Sequence, residues 1–275
     1  MLAVNKKTLL KLALLVGLSL PTVCAAETLV LIQGFMAGGH IWRYAGVTRE
    51  LVGAGWADGG HLRVVSSKVR AQDVAGQKGS RRFFTITLPS DAPLLLQARY
   101  LEHYVRFIRQ RHADSPVILA GHSAGGVLGR LYMVRNPDSG VSALITIASP
   151  HLGTEGAELA LVAEESLRGL LAPFLGEEML ERSQGLFHDL SRESQSNLLG
   201  WLNRQPHPRA RYTSVVREPR EDGVGDLLVP AWSQDMNRVA ALRGHAALVK
   251  TRGSHALVRS DGRLLVRILN ALNQT

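Results

Sequence analysis

Residues 116–126, PVILAGHSAGG, constrain the fold of this chain more than any other stretch. A short run of β-branched and aliphatic residues leads into Gly-x-Ser-x-Gly, and VLGRLYMVRN follows with apolar residues at helical spacing. A serine held at the tip of a tight strand-to-helix turn has strained backbone angles, so its neighbours two before and two after must be small. Gly121 and Gly125 meet that need. The turn lifts the Ser123 hydroxyl above the edge of a sheet, and the amide of Ala124, at the start of the helix, points where an oxyanion develops. The plain alternative is a serine that only caps its helix.

The strand signals around this turn alternate with helical ones, which predicts a mostly parallel sheet flanked by helices. TLVLI at 28–32 reads as a strand that ends in the glycine-rich loop QGFMAGG, with a helix expected from Trp42 to Leu51. HLRVVSSK at 61–68 and FFTITL at 83–88 read as strands joined by a polar loop. An amphipathic helix is expected over 93–113, and VSALITIA at 141–148 is the strand after the serine helix. His103 reads as a surface or packing residue, and His151, soon after the 141–148 strand, as loop-structuring or pocket-lining.

Residues 156–210 interrupt the alternation with helix formers, broken at Pro173, Gly176 and GLFHDLS. They predict a helical cap or lid inserted over the sheet's carboxyl edge. Leu170, Leu171, Phe174, Leu175 and Trp201 there, with Met36 in the glycine-rich loop, are the candidate substrate contacts. RYTSVV at 211–216 and AALVKT at 246–251 return to strand, and GRLLVRILNAL closes the chain as a helix.

A serine hydroxyl needs an imidazole to take its proton and a carboxylate to orient that imidazole. His255 lies in the loop between the last strand and last helix, whereas His245 precedes that strand. Asp226 follows the 211–216 strand at loop distance, with Asp222 and Glu221 as rivals. The candidate triad is Ser123, Asp226 and His255. The candidate oxyanion donors are the amides of Ala124 and Phe35, with Met36 as the alternative to Phe35.

Composition bounds the rest. Lys6, Lys7 and Lys11 precede the apolar run 12–20, then Pro21 and small residues, so 1–26 reads as a signal peptide and 27–275 as one domain. Cys24 is the only cysteine, and cleavage after Ala26 or after Ala25, both of which fit, leaves none for a disulfide. The rival is a lipoprotein acylated at Cys24. The net charge of +9 falls to +6 once those three lysines are set aside, and the remaining arginines are scattered. That excludes a clustered nucleic-acid footprint. No His/Cys cluster has metal-ligand spacing, and no cofactor is expected.

Taken together, VLIQGFMAGGHIW, GHSAGG, SPHLGT, DLLVP and SHALVRSDGRLLVRIL resemble, in order, motifs of the α/β-hydrolase family and its bacterial lipase and esterase group. The resemblance spans essentially the whole chain after residue 26. It implies an α/β-hydrolase fold with a cap and hydrolysis of carboxylic esters with an apolar acyl chain through an acyl-serine. Export to the periplasm or beyond is expected from the 1–26 segment, and a monomer with transient contact to a lipid interface through the lid is expected as well. Acyl transfer or thioester cleavage on the same machinery, and a non-catalytic binding or folding-helper protein, are the alternatives. Gln33 departs from the pattern, since the family usually has histidine before that glycine.

Overall fold

The computed structural model describes residues 26–72, 79–155 and 177–274. Eight strands form one sheet: β1 (Glu27–Ile32), β2 (Ala57–Val65), β3 (Lys68–Gln72), β4 (Arg81–Ile86), β5 (Val117–His122), β6 (Val141–Ile147), β7 (Arg211–Glu218) and β8 (Ala246–Arg252). Their order is β3-β2-β4-β1-β5-β6-β7-β8. Every pairing is parallel except β2 with β3. The described helices are α1 (Ile41–Tyr44), α2 (Val47–Gly53), α3 (Leu94–Arg111), α4 (Ala124–Arg135), α5 (Glu177–Leu190), α6 (Leu198–Arg204), α7 (Ala231–Gln234) and α8 (Arg259–Leu272). None of them is long and apolar enough to cross a membrane.

β1 and β5 are buried along their whole length, as a parallel sheet covered on both faces requires. Alternation splits their side chains between two cores. Val30 and Ile32 join residues of α3, α4, α5 and α6, whereas Leu29 and Leu31 pack with Trp42 of α1, Leu51 of α2 and Leu265 of α8. At the sheet's edges β3 and β8 are half exposed and carry Lys68, Arg70, Lys250 and Arg252, charges that discourage edge-to-edge pairing.

Three local expectations change. The stretch 61–68 is a hairpin: Ser66 and Ser67 take φ of 48° and 63°, the left-handed turn that a two-residue hairpin needs, so β3 folds back on β2. Ser-Ser lacks the usual Asn-Gly signature of such a turn, and the polar residues after it read as loop. The helix expected over 42–51 is two helices, parted at Gly46 with φ of 76°. GLFHDLS does not break its helix, because α5 runs through Gly185 to Leu190. Gly185 serves close packing there, since a Cβ on it would lie 2.6 Å from Pro93 Cγ.

Candidate active site

The serine turn forms as its glycines dictate. Ser123 has φ 53° and ψ −129°, and its side chain makes no capping hydrogen bond, which removes the reading of a helix cap. A Cβ on Gly121 would meet Gly126 N at 2.4 Å, and one on Gly125 would meet Gln33 O at 2.4 Å. Gly34 lies equally close on the other side, where a Cβ would fall 2.8 Å from Ser123 Cβ. The loop after β1 is thus pressed against the serine turn. The amide of Ala124 opens α4, a position with no intrahelical acceptor. Phe35 follows Gly34, and Met36 beside it holds a strained φ of 54°.

From the other end of the chain, Asp226 meets His255: Nδ1 lies 2.7 Å from Oδ2. The Asp226 side chain is 1 % exposed. Its Oδ1 accepts from the amides of Leu228 and Val229 at 2.9 Å each, and Oδ2 also accepts from Gln234 Nε2 at 3.1 Å. Four donors hold the carboxylate in place and satisfy it. The rivals lie elsewhere, Asp222 paired with Arg220 and Glu221 with Arg252 on the exposed surface. His245 is exposed.

His122 joins the two halves. Its Nε2 donates to the carbonyl of His255 at 2.8 Å, and the two rings lie 5.0 Å apart. Burial first, then the neighbouring His255, lowers the His122 pKa to about 4, so it is a neutral strut at physiological pH. Among the described residues no hydrogen bond joins Ser123 Oγ to His255, although His255 hangs from the residue that precedes the serine. Such bonds are commonly long before substrate binds. Beneath this loop Arg217 Nη2 pairs with Asp261 at 2.7 Å, and Asp261 accepts from the amide of Val258 at the start of α8.

A cavity of about 290 Å³ opens beside the loop after β1, lined by Gln33, Met36, Ala37 and Gly38 and by residues 87–91. Met36 therefore lines an open space beside that loop. Gln33 is buried and donates from Nε2 to Leu88 O, tying the loop to the segment after β4. Helix α5 covers the same region. The Phe187 ring meets Phe35 edge-on at 5.2 Å, and Asp189 accepts from the amide of Leu94 at the start of α3. Trp201 lies on α6, partly exposed, and does not line that cavity. Leu170, Leu171, Phe174 and Leu175 lie outside the described residues, as does the 1–25 segment with Cys24.

His151 is fully buried and structural: Nε2 bonds Thr146 Oγ1 at 3.1 Å and its carbonyl accepts from Asn203. His103 is exposed on α3. No group of three metal-ligating side chains is placed to hold an ion among the described residues. Sequence reasoning missed Gln234, which helps hold Asp226, and the Phe187 and Asp189 contacts. Each depends on residues far apart in the chain, and none has a local signature.

A family model described as serine aminopeptidase, S33, matches residues 98–217, the part of the chain that carries the serine turn. A lipase from Bacillus licheniformis, BlEst2 in its mature form, superposes with a TM-score of 0.64 at 16 % identity, covering 90 % of this chain and 92 % of its own. The fold is that of an α/β-hydrolase. The α/β-hydrolase likeness extends to Est1E from Butyrivibrio proteoclasticus, with a TM-score of 0.54, 13 % identity, and coverage of 91 % and 90 %. It extends also to a metagenomic carboxyl esterase, MGS0156, at 0.52 and 16 %, covering 84 % and 65 %. Among curated proteins, none matches this chain.

Proposed function

We propose that this hydrolase is an exported serine esterase of the lipase type, cleaving carboxylic esters through an acyl-serine intermediate. The observation that carries the reading is Asp226, locked by four donors, 2.7 Å from Nδ1 of His255 beside a strained serine turn. With Nδ1–H committed to the carboxylate, Nε2 is the nitrogen free to act as base. Ser123 Oγ attacks the ester carbonyl while His255 Nε2 takes its proton. The carbonyl oxygen, now negative, is met by the amides of Ala124 and Phe35. His255 returns the proton to the departing alcohol, then activates water to release the acid and regenerate Ser123.

The surroundings favour an ester over a peptide only by their polarity. Met36, Leu227, Leu228 and Val258 expose apolar surface near the site residues, Leu227 to 86 %. Such a rim suits a substrate with an apolar portion or one held at a lipid surface. Export rests on the basic and apolar segment before Ala26.

Ser123→Ala is expected to lower turnover of a p-nitrophenyl ester by about ten thousand-fold or more, with the melting temperature little changed. Labelling by a fluorophosphonate probe should be lost in the same variant. Near-normal hydrolysis by the alanine variant would end the reading.

A further inference from the structure

The segment between Trp56 and Leu62, ADGGH, builds a buried polar chain that the triad does not use. Gly59 and Gly60 interrupt the register of β2 against β4, so that Asp58 and His61 both turn inward. Asp58 takes the Arg43 guanidinium of α1 in a fork, at 2.5 and 2.9 Å. The third Arg43 donor, Nε, reaches Thr85 Oγ1 at 3.2 Å. Thr85 Oγ1 lies 2.8 Å from His61 Nδ1, and His61 Nε2 lies 2.7 Å from Thr87 Oγ1.

Counting protons gives this chain a direction. His61 is neutral near pH 7, because burial foremost, then His40, Arg43 and Arg63, lowers its pKa to about 4. Its ring therefore carries one N–H. Thr85 is fully buried and already accepts from Arg43, so its single hydroxyl proton must go to His61 Nδ1 or stay unsatisfied. The ring proton then sits on Nε2 and donates to Thr87 Oγ1. Thr87's own hydroxyl proton is left over. Thr87 is exposed, and it lines the cavity beside Met36.

The chain also fixes Thr87 and the loop in place. The Thr87 amide donates to Leu62 O at 2.9 Å and its carbonyl accepts from Tyr104 Oη at 2.5 Å. The His40 ring stacks on His61 at 4.1 Å. Gly39 packs so tightly that a Cβ would lie 2.4 Å from His61 Cε1 and 2.7 Å from Thr87 Oγ1. A threonine held at its amide, its carbonyl and its oxygen is left with one hydroxyl donor that its protein partners do not use. A hydrocarbon-filled cavity would leave that donor unpaired, at a cost.

We propose that Thr87 is a substrate-contacting residue, its hydroxyl aimed by Arg43, Thr85 and His61 to donate a hydrogen bond to an oxygen of the substrate portion that enters this cavity. The inference rests on the esterase reading and deepens it. The cavity selects esters whose acyl or alcohol portion carries an ether, hydroxyl or carbonyl oxygen near the scissile bond over their all-carbon counterparts.

Two matched pairs test it: p-nitrophenyl methoxyacetate against p-nitrophenyl butanoate for the acyl side, and 2-methoxyethyl acetate against butyl acetate for the alcohol side. Each pair exchanges one oxygen for a methylene, and comparing variant with unmodified enzyme cancels intrinsic reactivity. Thr87→Val keeps the shape and removes the donor. It is expected to lower kcat/KM for the oxygen-bearing member of one pair by about 3- to 10-fold, the range of one neutral hydrogen bond, and to spare the hydrocarbon member. Thr87→Ser should retain the preference. His61→Leu, which leaves Thr87 in place but unaimed, should lose it while still folded by its melting transition. An unchanged ratio in both pairs for Thr87→Val, or equal losses on both members, overturns the proposal and leaves the esterase reading standing. An unmodified enzyme that hydrolyses no member of either pair and leaves Ser123 unlabelled overturns both.

Discussion

At the scale of single residues, the site depends on side chains that are missing as much as on those present. Gly34 separates the loop after β1 from the serine by less than a methyl group, with Ser123 Cβ at 2.8 Å and His122 O at 3.0 Å from where its Cβ would be. Neither contact is the soft end of a long side chain, so something near the reacting atoms must move. Misplacement by about 1 Å can cost roughly a hundredfold in rate. Gly34→Ala is therefore expected to reduce kcat by about that factor, read as the rate of p-nitrophenyl ester turnover at saturation. The pentapeptide made the serine legible in the sequence, because its spacing is local. The choice of Asp226 over Asp222 was less legible, since all three acids of that loop stand at workable chain distance from His255.

At the scale of elements, the decisive junction is the loop between β8 and α8. His255 is positioned from both ends: His122 of β5 holds its carbonyl, and Arg217 of β7 pairs with Asp261 in the first turn of α8. The Arg217 and Asp261 side chains are 3 % and 2 % exposed. Removing one partner leaves a charge stranded in the interior, which typically costs about 3–5 kcal/mol, whereas replacing both with apolar residues of similar size costs far less. Asp261→Ala is expected to lower stability by that amount in urea unfolding, and Arg217→Met with Asp261→Leu to recover most of it. The double variant should remain less active than the parent, because the loop bearing His255 loses its tether. A single-variant loss no larger than that of a surface substitution would contradict this account. Helices α3 and α8 were legible because their apolar faces are written within one segment, and α4 because it follows the glycine-spaced serine turn. The hairpin at Ser66-Ser67 was not, since its backbone twist is imposed by pairing with β2 and not by turn chemistry.

For the whole molecule, burial of histidines ties the fold to pH. His61, His122 and His207 are each lowered to about 4 from 6.5, and burial is the first cause in every case. A histidine of this kind binds a proton in the unfolded chain from about 6.5 but in the folded one only near 4. Its stabilising effect is complete above 6.5 and is lost as pH falls through that window, at up to about 1.4 kcal/mol per pH unit for each histidine. Unfolding free energy measured across the window should thus fall steeply with acid. His122→Asn should flatten that slope, whereas a slope identical to the parent's would show that His122 does not stay neutral.

The order of strands and helices, the serine, the imidazole and the shortlist of acids came from sequence alone, because hydrophobic period, glycine spacing and loop position are properties of neighbouring residues. Only the tertiary structure shows that Asp226, and not Asp222 or Glu221, meets the His255 ring, that Phe187 of α5 packs on Phe35, and that Thr87 ends a hydrogen-bonded chain from Arg43. Those facts are contacts between segments far apart in the chain, and segments that become neighbours only when the sheet assembles leave no trace of it in the spacing of letters.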